Sequence, residues 1–241
     1  MRDVLPQPEQ KEAQVQEMFT SSAPRYDLVN TVLSFGLHKL WKRTAVVKTG
    51  LEDGQRALDL CSGTNDLAIL LGRRVGKDGQ VVAVDFNREM IALGAAKVQR
   101  ANMGQWVSSR QGNAESLDLE SDLFDALTIA FGLRNIRDQE RALSEMHRVL
   151  KPGGRLVCLE FSVPPNRAFR RLYDFYSFNI LPHVGTIVSG DKSRVYHYLP
   201  ASIREFHTPE ALRALLEKVG FRNVEHRYLS AGIVGLHSAT K

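Results

Sequence analysis

The stretch Ala57-Leu58-Asp59-Leu60-Cys61-Ser62-Gly63-Thr64-Asn65-Asp66 constrains the fold more than any other part of the chain. A buried-strand pattern runs straight into a tight turn, and Asp66-Leu67-Ala68-Ile69-Leu70-Leu71 then reads as the start of a helix. Nineteen residues beyond Asp66, Asp85 closes a second apolar run, Val81-Val82-Ala83-Val84. A glycine-bearing turn followed by an acid at the next strand tip is the sequence form of a nucleoside site. The turn lets the ligand approach the backbone, and the acid accepts hydrogen bonds from both ribose hydroxyls. A plain strand-turn-helix without a ligand is the alternative, and later segments agree better with the site.

The turn also discriminates among nucleosides. A dinucleotide fingerprint needs G-x-G-x-x-G, with room for a pyrophosphate on the helix N-terminus. Here Gly63 stands alone, with Asn65 and Ala68 in the places of the other glycines. Asp59 and Asp66 are expected to put negative charge where a pyrophosphate would sit, which repels phosphate and favours a cation. S-adenosylmethionine carries a sulfonium, an ammonium and a ribose diol but no phosphate, so it fits better than NAD.

With 241 residues, 43% of them hydrophobic, the chain can bury one sizeable core, and a single domain over 1–241 is expected. A net charge of +5, without a basic stripe interleaved with aromatics, argues against a nucleic-acid partner. Cys61 and Cys158 fall in separate strand-like segments, with no metal or disulfide spacing. They read as small core residues in a reducing cytosol, and no metal is expected. Residues 1–16 lack the apolar stretch of a secretion signal, and no run approaches the roughly 18 apolar residues that span a bilayer. The expected location is cytoplasmic, at most peripheral on the inner face of the membrane.

Along the chain, 1–10 reads as a loose arm, and 1–50 as a helical segment with helices near 11–19 and 28–47, broken at Ser34-Phe35-Gly36. Strand-like runs at 56–61, 81–86, 107–111, 125–130 and 155–161 alternate with helical stretches at 66–75, 88–101 and 138–150. That alternation predicts an α/β fold, a mostly parallel sheet covered by helices on both faces. Lys151-Pro152-Gly153-Gly154 reads as a helix stop. Residues 162–208 interrupt the alternation, with bulky side chains on one helical face at 169, 172, 173 and 176; the insertion is either core packing or a substrate cap over the strand tips. A helix at 209–219 and two strands, 222–229 and 232–239, then close the chain as an antiparallel hairpin.

The chain resembles the quinone-ring C-methyltransferases of ubiquinone and menaquinone biosynthesis, in the class I S-adenosylmethionine-dependent superfamily. The resemblance rests on Arg25-Tyr26-Asp27 with Asn30, Leu33-Ser34-Phe35-Gly36, Trp41-Lys42, Phe131-Gly132-Leu133-Arg134-Asn135, Leu159-Glu160-Phe161-Ser162 and Tyr176-Ser177-Phe178. Tyr196 with Tyr198, Ser202-Ile203-Arg204 and Gly232-Ile233-Val234 complete it. It implies a Rossmann-like methyltransferase fold with a seven-stranded, mostly parallel sheet, an antiparallel C-terminal hairpin and a helical cap. It also implies cofactor contacts at Thr64, Asp85, Asn113 and Ala114, beside Asp59, Gly63 and Ala130. The substrate would be a prenylated quinol, demethylmenaquinol or a ubiquinol precursor.

Arg134 and Asn135, at the site edge, are candidates to stabilise a ring phenolate or orient a water; arginine stays protonated, which favours the electrostatic role. His197, flanked by Tyr196 and Tyr198, is a candidate proton acceptor, and a solvated loop histidine is its alternative. Phe169, Leu172, Tyr173, Tyr176 and the run 178–181 are expected to wall a groove for the prenyl tail, with Arg167, Arg170 and Arg171 toward lipid headgroups. A homodimer is left open. Two departures from the family stand out: Asn65 replaces a glycine, adding bulk beside the methionine moiety, and Ala130 replaces a serine. They motivate a second reading, a non-catalytic relative that binds quinol or cofactor within a biosynthetic complex. A same-fold methyltransferase with another aromatic acceptor is a third.

Overall fold

The computed structural model describes residues 5–7, 10–190 and 195–241, so the expected arm over 1–10 lies partly outside the described residues. The alternating pattern folds into seven strands: β1 (Arg56–Leu60), β2 (Gln80–Asp85), β3 (Val107–Gln111), β4 (Phe124–Ala130), β5 (Leu150–Phe161), β6 (Arg222–Leu229) and β7 (Val234–Thr240). They form one sheet in the order β3-β2-β1-β4-β5-β7-β6. β1 to β5 pair in parallel, and β7 runs antiparallel to both β5 and β6. The expected fold class is therefore the one observed.

Side-chain alternation along β1 sorts the two faces. Leu58 and Leu60 pack with α6 (Gln139–Val149) and α10 (Pro209–Val219). Ala57 faces the other layer, made by α3 (Leu37–Thr49), α4 (Asp66–Val75) and α5 (Arg88–Arg100). The chain leaves β1 toward β2 on one side and β4 returns on the other, so a crevice opens at the carboxyl ends of these strands.

Two helices upstream, α1 (Lys11–Ser22) and α2 (Tyr26–Leu33), lie over that crevice together with α7 (Arg167–Phe175), α8 (Leu181–Ser189) and α9 (Val195–Glu205) of the 162–208 insertion. Residues 191–194 of the insertion lie outside the described residues. The break expected between α2 and α3 is a corner in which Phe35 and Gly36 both take positive φ, 51° and 76°. At the expected helix stop, α6 ends at Val149, but β5 begins at once with Leu150. Lys151-Pro152-Gly153-Gly154 then loops out of register, so that Phe124 pairs with Leu150 and Ala126 with Arg155.

Candidate active site

Two cavities meet over the crevice. The first, about 130 Å³, is floored by the tips of β1, β2 and β4 and the loop after β3, and roofed by Glu12, Val15, Gln16 and Phe19 of α1. Asp85 ends β2 on its wall. The Gly63 N–H donates to Asp85 Oδ2 at 2.8 Å and the Asn87 N–H to Oδ1 at 2.9 Å. Each oxygen keeps a lone pair for a further donor, as a ribose diol requires. Burial nevertheless pushes this carboxyl above its ordinary range. Asn113 Oδ1 accepts from the Glu115 N–H at 2.8 Å, a turn that holds Asn113 and Ala114 on the same wall as Gly63 and Ala130.

The other expected donor-site residues stand elsewhere. Asp59 shares its face of β1 with Ala57 and lies beneath α4, 1% exposed and away from the cavity wall. Thr128 Oγ1 donates to its Oδ1 at 2.7 Å while Oδ2 has no partner, and burial raises the carboxyl to about 7. Thr64 turns away as well, its hydroxyl donating to Asp27 Oδ1 at 2.6 Å. Asp66, expected to face the ligand, is held by Lys42 (2.9 Å) and Lys97. Although burial opposes it, these two lysines lower its carboxyl to about 2. Among the described residues, the carboxylates that line the cavity are Glu12, Asp85 and Glu115, the last paired at 3.8 Å with Arg137, which lines it too. The acidic character holds, with different members.

Asn65 does not obstruct the cavity. Its backbone is left-handed (φ 63°), and its side chain points between α5 and β3, where Nδ2 donates to Ser109 Oγ at 2.6 Å. Gly94 makes the space, since a Cβ there would sit 2.6 Å from the Asn65 carboxamide. The expected bulk beside the methionine moiety is therefore not found.

The second cavity is larger, about 280 Å³, and mostly apolar. Phe131 and Phe161 stack at 4.5 Å, with Trp41 edge-on to Phe161 at 6.3 Å. Leu172, Tyr173, Tyr176 and Leu181 close it from the insertion. Phe19, Tyr26 and Phe131 border both cavities, so one aromatic partition separates them. Tyr26 is a neutral phenol, pushed up to about 12 chiefly by burial.

Arg134 lines the second cavity. Its Nη1 donates to both Glu160 oxygens, at 3.0 and 3.1 Å, and the guanidinium lies 5.5 Å above the Phe161 ring centre. Asn135 lines the first cavity, and its Oδ1 accepts from the Tyr198 hydroxyl at 2.9 Å. Tyr196 and Tyr198 are both buried on the second cavity, but His197 between them is exposed and lines neither. It is withdrawn as proton acceptor. Sequence reasoning assigned no role to Tyr26, Glu160 or Ser177, although each lies in a motif that carried the resemblance, and it expected of Tyr173 only a groove wall.

This sheet order, with a lone-glycine turn and an acid-tipped second strand, is the fold of the class I S-adenosylmethionine-dependent methyltransferases. A SAM-dependent methyltransferase from Aquifex aeolicus superposes with a TM-score of 0.64 over 89% of this chain and 97% of that one, at 19% identity. The [4+2]-cyclase SpnF superposes comparably, TM-score 0.65 and 19% identity over 84% and 81%, so the fold by itself does not fix the reaction. The chain belongs to the ubiE/COQ5 methyltransferase family, which matches residues 7–241. It is similar to the ubiquinone/menaquinone biosynthesis C-methyltransferase UbiE of Yersinia enterocolitica, 46% identical over 97% of this chain and 92% of that protein.

Proposed function

We propose that this chain transfers a methyl group from S-adenosylmethionine to a ring carbon of a prenylated quinol, demethylmenaquinol or a ubiquinol precursor, in respiratory quinone biosynthesis. One observation carries the reading beyond the family: a nucleoside-sized polar cavity and an apolar cavity share the Tyr26–Phe131 partition. The donor's groups match the first cavity, with the diol on Asp85 and the adenine edge near Asn113 and Ala114. When bound, the cofactor supplies an electrophilic methyl. The protein's task is to align an electron-rich carbon with it and exclude water.

Arg134 and Asn135 act electrostatically. Glu160 neutralises most of the guanidinium charge, so Arg134, which lines the cavity, would stabilise a developing phenolate by hydrogen bonding more than by net charge. Residues 162–208 are the substrate cap, tied across by Arg204 on α9 to Asp174 on α7. The test is purified chain with labelled cofactor and a reduced short-tail acceptor. A product heavier by one methyl is expected. Cofactor binding without any product from benzenoid or naphthalenoid quinols would favour the non-catalytic reading.

The prenyl tail motivates a peripheral membrane contact on the cytoplasmic side. Phe35 (81% exposed) and Leu172 (64%) both line the acceptor cavity and are open to solvent, with Phe175 (58%) beside them on α7. Phe35 lies 6.2 Å from the Tyr176 ring, which joins the two elements into one rim. Arg167 and Arg171 are exposed alongside, and residues 28–51 contain no acid. No helix among the described residues is long and apolar enough to cross a membrane. Flotation with anionic liposomes is expected; no retention on them at low salt removes this contact.

A further inference from the structure

Buried hydroxyls in the helices of this chain follow a rule that one residue breaks. Among the described residues, the buried Ser22, Thr49 and Ser202 each donate to the carbonyl three residues earlier, those of Phe19, Val46 and Leu199. Ser177 is 3% exposed, yet its Oγ has no hydrogen-bond partner. The reason is local. Ser177 lies in a π-helical turn, Tyr176–Ile180, whose five-residue hydrogen-bond offset departs from the α-helical geometry in which the other back-bonds form. Ser177 lines the acceptor cavity, and so does Tyr173 one turn earlier. The Tyr173 hydroxyl lies close enough to feel both Ser177 and Arg134 without making an aligned bond, and burial keeps it protonated. A buried, unsatisfied hydroxyl in an apolar cavity is costly unless a ligand satisfies it.

We infer that Tyr173 and Ser177 form a hydroxyl pair that binds one ring oxygen of the acceptor, so that the cap fixes the ring's rotation relative to the methyl donor. The quinol hydroxyl donates to Ser177 Oγ and accepts from the Tyr173 hydroxyl. Its para oxygen is then free to face Arg134. No bond forms or breaks at the pair; it is a positioning and specificity element. The inference rests on the quinol reading above for the identity of the acceptor.

The test compares a short-tail quinol with its mono-methyl ether, which lacks one hydroxyl donor, in the parent chain, Ser177→Ala and Tyr173→Phe. The parent is expected to prefer the free quinol about tenfold or more in kcat/KM, the discrimination typical of a lost buried hydrogen bond. In Ser177→Ala that preference falls to within about twofold, mostly through KM, and the ether is used as well as by the parent. Tyr173→Phe should lower turnover of both acceptors, because both retain an oxygen that accepts. A parent-like preference in Ser177→Ala overturns the inference, as does an equal loss on both acceptors. No turnover by the parent with either acceptor would instead sink the proposed reaction, which separates the two failures.

Discussion

On the donor side, the polar contacts that shape the cavity join neighbouring strand tips: Asp85 with Gly63 and Asn87, Asn113 with Glu115. On the acceptor side they join distant segments, such as the Tyr176 hydroxyl with Leu33 O at 2.8 Å and Trp41 Nε1 with Ser230 Oγ at 2.9 Å. The floor and wall of the first cavity are properties of the sheet and persist as long as the sheet does, and only its roof, α1, is fastened from a distance. The second exists only when the N-terminal helices and the cap are docked together. Donor binding should therefore tolerate changes that abolish acceptor binding, while damage at the partition should reach both.

The largest expected effect is at Arg134. Arg134→Ala leaves Glu160 buried without its cation and should cost about 3–5 kcal/mol of stability. Thermal unfolding should show the loss, and Arg134→Ala with Glu160→Gln should recover part of it. Full recovery of methyl transfer in that double variant would mean Arg134 matters only to folding. Next, Asp85→Ala should weaken cofactor binding about 100-fold, the loss of two hydrogen bonds to a charged acceptor, while the sheet stays intact. Calorimetry showing near-parent affinity would place the ribose on another group.

Asp59 gives a smaller effect of defined sign. Folded Asp59 keeps its proton up to about pH 7, whereas an unfolded aspartate loses it near pH 3.9. Between these values the folded state holds the extra proton, so this group's contribution falls as pH rises, by about 1.4 kcal/mol per unit. Asp59→Asn should remove that slope, so the difference between variant and parent urea midpoints should change steadily with pH across this window. An unchanged slope would show the acid ionised in the folded state. The smallest effect is expected for Asn65→Gly, about twofold or less in donor affinity, because the side chain points to Ser109 and not into the cavity. A several-fold tightening would restore the obstruction expected from the turn.

What the sequence disclosed follows the same division. Asp85, Gly63, Asn113 and Ala114 reach the donor wall because position after a parallel strand fixes where a residue lies. Asp59 was misplaced although the signal was present: it alternates with Leu58 and Leu60, which assigns it to the face under α4. Asn65 was beyond reach, since its accommodation depends on Gly94, a residue on the next helix. His197 misled because Tyr196 and Tyr198 flank it. Both tyrosines are buried where α9 is wedged between α8 and the loop after β4, which leaves the residue between them facing out. The helical face at 169, 172, 173 and 176 was legible in its spacing, and all four residues line the second cavity.

Helix α1 roofs the donor cavity without burying a single apolar side chain of its own; Ser22 is its one buried residue. What fastens it is a set of latches: Lys11 Nζ on the carbonyls of Arg134 and Ile136, and Asn87 Nδ2 on Gln16 O and Thr20 Oγ1. A covering pinned in this way unhinges at far lower free energy than the sheet beneath it unfolds. In the proposed reaction the spent cofactor would depart by the lifting of α1 alone, while the methylated acceptor must exit separately through the opening at the Phe35–Leu172 rim.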